Sequence, residues 1–181
     1  DVGTLQVGIG SLGDAIAYSM ILRHTQNDRY RAAVEDLAIM DKSGDLVRRI
    51  GGLDAFSKGL YGSSEMFVTG LLELYKAGIL RRKVYDHAGL QRLLNDADVT
   101  EQVTPVMLDQ LLAHKVIRPL LKPRDLAFLQ RYGIFKSDIK LANGRLLTGD
   151  GHDMGADLSD EANLTDIAAH CLGTTLQGGI L

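Results

Sequence analysis

The sequence predicts an α/β layer fold, and three observations predict it. Strand-like and helix-like segments alternate along the chain. A glycine turn, Gly8-Ile9-Gly10-Ser11-Leu12-Gly13, joins a strand pattern to an apolar helical pattern. Asn143-Gly144 lies between two short alternating segments and marks a hairpin.

Taken in order, Thr4–Ile9 alternates apolar and polar residues and predicts a strand. Asp14–His24 is apolar at helical spacing, with Ala15, Ile16, Met20 and Ile21 expected inward. Asp28–Leu37 predicts a second helix and Leu37–Met40 a short strand ending at Asp41; Leu46–Ile50 is ambiguous. Met66–Ala77 predicts a helix with Val68, Leu71, Leu72 and Tyr75 on one face, and Gly78 as its C-terminal stop. Ile79–Tyr85 reads as a strand. Leu90–Leu94, Pro105–His114 and Arg124–Arg131 read as helices, with Pro119 and Pro123 breaking the chain before the last. The hairpin pairs Asp138–Ala142 with Arg145–Thr148, and Leu158–Leu172 is helical up to Gly173. No internal repeat or low-complexity linker is evident.

The 181 residues amount to one domain, and 45% hydrophobic residues suffice for an ordinary core. A net charge of −3 provides no global attraction to nucleic acid. No apolar run is long enough to span a bilayer. The single cysteine, Cys171, excludes an internal disulfide and suits a reducing, cytoplasmic setting. In an apolar helical context it reads as core.

Chemistry concentrates at Glu65, in Gly59-Leu60-Tyr61-Gly62-Ser63-Ser64-Glu65-Met66-Phe67. A hydroxyl-bearing turn there runs into the Met66–Ala77 pattern. Glu65 is therefore expected in a first helical turn, where free N–H groups and the helix dipole favour the ionised carboxylate. It is either a helix-start residue or a nucleophile. Ser63 and Ser64 are expected to cap that helix.

The run Gly59–Tyr85 resembles the Glu-containing segment of the acetyl-CoA hydrolase/transferase family, which includes 4-hydroxybutyrate and succinyl-CoA:acetate CoA-transferases. Ser64-Glu65-Met66, Glu73-Leu74 and Ala77-Gly78 carry the likeness, and Leu5-Gln6-Val7-Gly8-Ile9-Gly10 with Asp14-Ala15 resembles the family's entry strand and turn. The resemblance implies an open mixed or parallel sheet with flanking helices, of CoA-transferase type. It implies that the chain is the N-terminal part of a C-terminal catalytic domain, with helical insertions at about 24–57 and 87–135. Glu65 lies further beyond Gly10 than in shorter members, which points to a larger subfamily. Ending on Gly178-Gly179-Ile180-Leu181, before the family's later glycine-rich loop, the chain is expected to be an inactive fragment.

The resemblance further implies that Glu65 carries CoA as a glutamyl thioester. The Ile9 backbone amide, between Gly8 and Gly10, would bind the thioester oxygen. Substrates would be an acyl-CoA and a small carboxylate, or water, with no permanently bound cofactor and no metal. A homo-oligomer is compatible with the sequence.

Three other readings compete. Gly8-x-Gly10-x-x-Gly13 with Asp41 outlines a dinucleotide-binding fingerprint, although Asp14 would oppose a phosphate and Asp41 lies beyond the usual spacing of about 20 residues. A non-catalytic α/β interaction domain would leave Glu65 as helix decoration. A serine hydrolase lacks the second glycine of its elbow. His152 with Asp150, Asp153 and Asp157 reads as a solvated acidic loop rather than a metal site, and Arg81-Arg82-Lys83 as a basic rim able to meet CoA phosphates. His24, His87, His114 and His170 show no partner spacing.

Overall fold

The computed structural model describes residues 4–64 and 66–180. They form a mixed α/β fold with one small parallel and one small antiparallel sheet. The chain groups into two compact units, Asp1–Val84 with Gly179–Leu181, and Tyr85–Gly178. Val84 and Gly179 exchange both backbone hydrogen bonds, at 2.7 and 3.0 Å, so the first unit closes across the point where the chain leaves and returns. No helix of the described residues is long and apolar enough to cross a membrane.

The first unit contains β1 (Thr4–Gln6), α1 (Ser11–Thr25), α2 (Asn27–Asp36), α3 (Ile39–Ile50), β2 (Tyr61–Ser63) and α4 (Thr69–Lys76). β1 and β2 run parallel in the register Thr4↔Tyr61, Leu5↔Gly62, Gln6↔Ser63. Parallel strands need a long crossover, and α1–α3 supply it. The core is Val7, Ala17, Phe56, Leu60, Leu71, Leu74, Ile79 and Leu80. Each fully buried leucine contributes about 1.5–3 kcal/mol.

Four expectations for this unit change. In α1, Ala17 is the buried residue, Met20 and Ile21 are half-buried, and Ala15 and Ile16 are exposed. A Cβ added at Gly70 of α4 would lie 3.3 Å from the Ala17 Cβ, so the α1–α4 seam admits only small residues there. Leu37–Met40 is no strand. Ala38, in the left-handed region at φ 50°, separates α2 from α3, and α3 continues through Leu46–Ile50. α4 starts at Thr69 instead of Met66, and it buries Gly70, Leu71 and Leu74 while Tyr75 stays exposed. Within Ile79–Tyr85 only isolated bridges form, Leu60↔Leu80 and Val84↔Gly179.

The second unit contains α5 (Ala88–Asn95), α6 (Pro105–Ala113), α7 (Pro123–Arg131), β3 (Lys140–Ala142), β4 (Arg145–Leu147), β5 (Asp153–Gly155) and α8 (Glu161–His170). Pro105 and Pro123 open α6 and α7, where a missing N–H costs nothing. Leu90, Leu93, Leu108, Leu111, Leu129, Ile134 and Phe135 lie among the fully buried or nearly buried residues of its core.

A local repeat, not expected from the sequence, organises this part of the chain. Helices α4 to α7 each end in the same way, with a left-handed residue after the C-cap: Gly78, Ala97, Lys115 and Gly133. In each, the next N–H reaches back to a buried leucine carbonyl. Ile79 donates to Leu74, Asp98 to Leu93, Val116 to Leu111 and Ile134 to Leu129, at 2.8–3.0 Å. This is the Schellman arrangement, which satisfies the last carbonyls of a helix. It recurs about every 18 residues. Glycine appears in only two of the four turns, so glycine punctuation does not reveal the period.

β3, β4 and β5 form an antiparallel sheet in that order. Asn143 and Gly144 both have positive φ, 51° and 75°, as a two-residue type I′ turn requires. β5 is an addition to the expected hairpin. Leu146 opposes Met154, and both are buried. α8 begins at Glu161, capped by Asp160, whose Oδ1 accepts from the Asn163 N–H at 3.0 Å. Leu158 lies before the helix and donates its N–H to the Pro119 carbonyl at 2.8 Å.

Candidate functional site

β1 ends at Gln6, Val7 enters the core, and the chain turns through Gly8-Ile9-Gly10 into α1. Gly10 adopts φ 120°, ψ 169°, which side chains rarely tolerate, so the turn itself demands glycine there. A Cβ on Gly13 would lie 2.4 Å from the Gly8 carbonyl oxygen, so the first turn of α1 passes over that carbonyl only because residue 13 has no side chain. Gly8 differs. A Cβ there would meet no atom within 4 Å, so internal packing does not demand glycine at this position. Ile9 is 76% exposed, and among the described residues its N–H makes no backbone hydrogen bond.

The parallel register brings a second segment to this turn. Gln6 is opposite Ser63, so the Gly8–Gly10 turn and Ser64 follow the carboxyl ends of adjacent strands. Open α/β sheets bind ligands at that edge. Glu65 lies outside the described residues. Its neighbours do not form the expected helix start. Ser64 Oγ accepts from the Met66 N–H at 3.1 Å and donates to the Met66 carbonyl, a local turn typical of serine. The N-cap of α4 is Val68, without a side-chain cap, and Ser63 is the last residue of β2. Ser63 and Ser64 therefore shape the turn after the strand and do not cap α4. The first turn of α4 begins at Thr69, beyond Met66. Ile9, Leu12, Met66 and Phe67 all expose large apolar side chains.

The charged residues singled out in the sequence take other positions. Asp14 lies in the first turn of α1, where its carboxylate opposes a phosphate. Asp41 lies in the first turn of α3 and not at a strand end, so the ribose-binding part of a dinucleotide fingerprint is missing. Arg81 donates to the backbone carbonyls of Ser57 and Lys58, and the Arg82 guanidinium lies 4.0 Å from the Tyr61 ring centroid. The basic run thus holds the loop before β2.

The remaining candidates have structural partners. His24 Nδ1 accepts from the Phe56 N–H at 3.2 Å, His87 caps α5 by accepting from the Leu90 N–H, and His114 pairs with Asp98 at 3.6 Å. Burial pushes the Cys171 thiol up to about 11, so it is inert as a nucleophile. The acids near His152 are dispersed. Asp150 accepts from the Thr148 hydroxyl, Asp153 pairs with Arg145 at 2.9 Å, and Asp157 accepts from the Ser159 N–H. His152 instead meets Asp166 and His170. The spacing Asp166-x-x-x-His170 on one helix was the available sequence signal. No protein-family model, curated protein or solved structure matches the chain.

Proposed function

We propose that the chain carries the thioester site of an acyl-CoA:carboxylate CoA-transferase or acetyl-CoA hydrolase, built on an open α/β sheet of CoA-transferase type. Glu65 is the nucleophile and the Ile9 amide is the oxyanion donor. One observation supports this above the others. The parallel β1–β2 register sets the glycine turn beside the segment that leads into Glu65, although the two lie far apart in sequence.

The chemistry is a sequence of acyl transfers. The Glu65 carboxylate attacks the thioester carbonyl, and the C–S bond breaks to release CoA thiolate and leave a mixed anhydride. The thiolate attacks the glutamyl carbonyl of that anhydride and expels the first carboxylate, forming a glutamyl-CoA thioester. An acceptor carboxylate then reverses both steps and leaves as its CoA ester. If water attacks instead, CoA is released and the cycle ends in hydrolysis. At each addition a negative oxygen develops, and a backbone donor such as the Ile9 N–H lowers that barrier by about 3–4 kcal/mol. The setting is cytoplasmic, with a small carboxylate or water as acceptor.

Borohydride reduction after incubation of the protein with acetyl-CoA tests the reading. Glutamyl thioesters are reduced and free carboxylates are not. Peptide mass spectrometry is expected to find the reduced adduct at Glu65 and none in Glu65→Gln. Unmodified Glu65 in protein that demonstrably binds acetyl-CoA would remove the proposal.

A further inference from the structure

We infer that His152, Asp166 and His170 form a binding site for a divalent transition-metal ion, with Zn²⁺ as its natural probe, in the second unit and independent of the thioester site. The donor atoms converge. His152 Nε2 lies 2.9 Å from Asp166 Oδ1, and His170 Nδ1 lies 2.9 Å from the same oxygen. All three ligand atoms lie within 4.8 Å of one another. The two imidazole rings stack at 4.1 Å between centroids with 24° between planes. Two imidazoles and one carboxylate are a donor set for zinc and other first-row divalent ions.

The scaffold holds these donors from two elements. Asp166 and His170 lie one turn apart on α8, on the same face. Each precedes a fully buried residue, Ile167 and Cys171, so the helix rotation is set by the core. Cys171 Sγ meets Met154 Sδ of β5 at 3.6 Å. His152 comes from the β4–β5 turn. Its N–H donates to Thr148 Oγ1 at 2.9 Å and its carbonyl accepts from the Thr148 N–H at 2.9 Å. Met154 follows two residues later and is buried, which ties that turn to the same core.

The cluster is also accessible. The side chains of His152, Asp166 and His170 keep 41%, 34% and 42% of their exposure, so an ion can enter and retain water in its remaining positions. Each histidine binds as the neutral imidazole, with its proton on the ring nitrogen turned away from the ion, and the cation sits between nitrogen and oxygen. His170 Nδ1 also gives up its contact with the Asp166 carbonyl, at 3.0 Å. A tetrahedral zinc with bonds of about 2.0–2.2 Å separates its ligands by about 3.3 Å. The donors must therefore spread by a few tenths of an ångström, within reach of exposed side chains.

Zinc titration of the metal-free 181-residue chain, by calorimetry and by competition with a chromophoric indicator, tests the site. One ion per chain is expected, with a rise in melting temperature of about 5–10 °C at a hundredfold excess over Kd. His152→Gln and Asp166→Asn conserve size and are each expected to weaken zinc by more than about 100-fold, beyond what outer-shell changes cost. Circular dichroism and melting without zinc establish that each variant is folded. His114→Gln, outside the cluster, should bind as the parent does. Absence of uptake at submillimolar zinc, uptake unchanged in folded His152→Gln or Asp166→Asn, or equal loss in His114→Gln would each overturn the site.

Discussion

In the second unit, helices α5 to α7 bury a leucine at the start and another at the end of each core-facing stripe, and among the described residues only Val106, Leu120 and Leu147 are large apolar side chains left exposed. The first unit has a much smaller buried cluster and exposes Ile9, Leu12, Ile16, Tyr18, Leu37, Leu46, Ile50, Met66, Phe67 and Tyr75. The difference follows from how each stretch meets its own needs. Schellman turns close α5, α6 and α7 in succession and return apolar residues to one core, whereas the first unit has the same turn after α4 but leaves apolar residues of α1 and α3 exposed. A two-stranded parallel sheet does not cover them, because parallel sheets themselves need both faces covered. The uncovered apolar residues of the first unit include those flanking the glycine turn and following Ser64.

Truncation of phenylalanine in each unit would break this comparison most directly. Phe135→Ala in the second unit, at 2% exposure, is expected to cost about 3–5 kcal/mol in urea unfolding. Phe67→Ala in the first, at 59% exposure, is expected to cost no more than about 0.5 kcal/mol. Equal costs would mean that Phe67 is covered in solution and that the contrast fails.

The glycine turn sharpens it at the next scale. Gly13→Ala forces a Cβ against the Gly8 carbonyl and is expected to destabilise by about 1–3 kcal/mol. Gly8→Ala meets open space and is expected to leave stability within about 0.5 kcal/mol while obstructing access to the Ile9 amide. Thermal melts of both variants, beside their yield of the reduced adduct expected from the proposed thioester reaction, separate the two roles. Loss of stability in Gly8→Ala would show that the residue is structural after all.

Smaller effects test the helix ends. Ala97 and Lys115 hold left-handed conformations at φ 64° and 56°, which glycine adopts without strain. Ala97→Gly and Lys115→Gly are each expected to stabilise by about 0.5–1 kcal/mol in chemical denaturation. Gly133→Ala should do the reverse, since its Cβ would lie 2.8 Å from Gln177 Cγ and 3.0 Å from the Thr175 carbonyl oxygen. Neutral outcomes at all three would deny that these turns share one geometry.

The smallest expected effect is a pH dependence confined to the second unit. The Tyr132 hydrogen bond, with Arg131 beside it, holds Asp86 below the usual carboxylate range. That contribution is complete above about pH 3.9 and is lost as pH falls through the depressed value. Burial, then Asp86, raises the Tyr132 phenol. Its contribution is complete below about pH 10 and is lost as pH rises through the raised value. Tyr132→Phe should flatten both limbs of the stability–pH curve. Unchanged limbs would place the pH sensitivity elsewhere.

Much of the fold was legible wherever a signal was local. Pro105 and Pro123 announced α6 and α7, Asn143-Gly144 announced the hairpin, and the Gly8–Gly13 spacing announced a strand–turn–helix unit. The repeat was hidden because Ala97 and Lys115 occupy positions where glycine would have been noticed. The start of α4 was misplaced because Ser64 spends its hydroxyl on Met66, which competes with a helix cap. Of the proposed thioester site, residue types and order were legible, and the pairing of Gln6 with Ser63 was not.

By itself the sequence determined the α/β class, most helices and the turns, because caps, glycine angles and apolar periods act within a few residues of each other. Tertiary structure alone decided that Gln6 pairs with Ser63, that Ala17 and not Ile16 faces the core, and that His152 shares Asp166 with His170. Those outcomes depend on which surfaces are buried together across long stretches of chain, and burial is a property of the whole packed unit rather than of any segment within it.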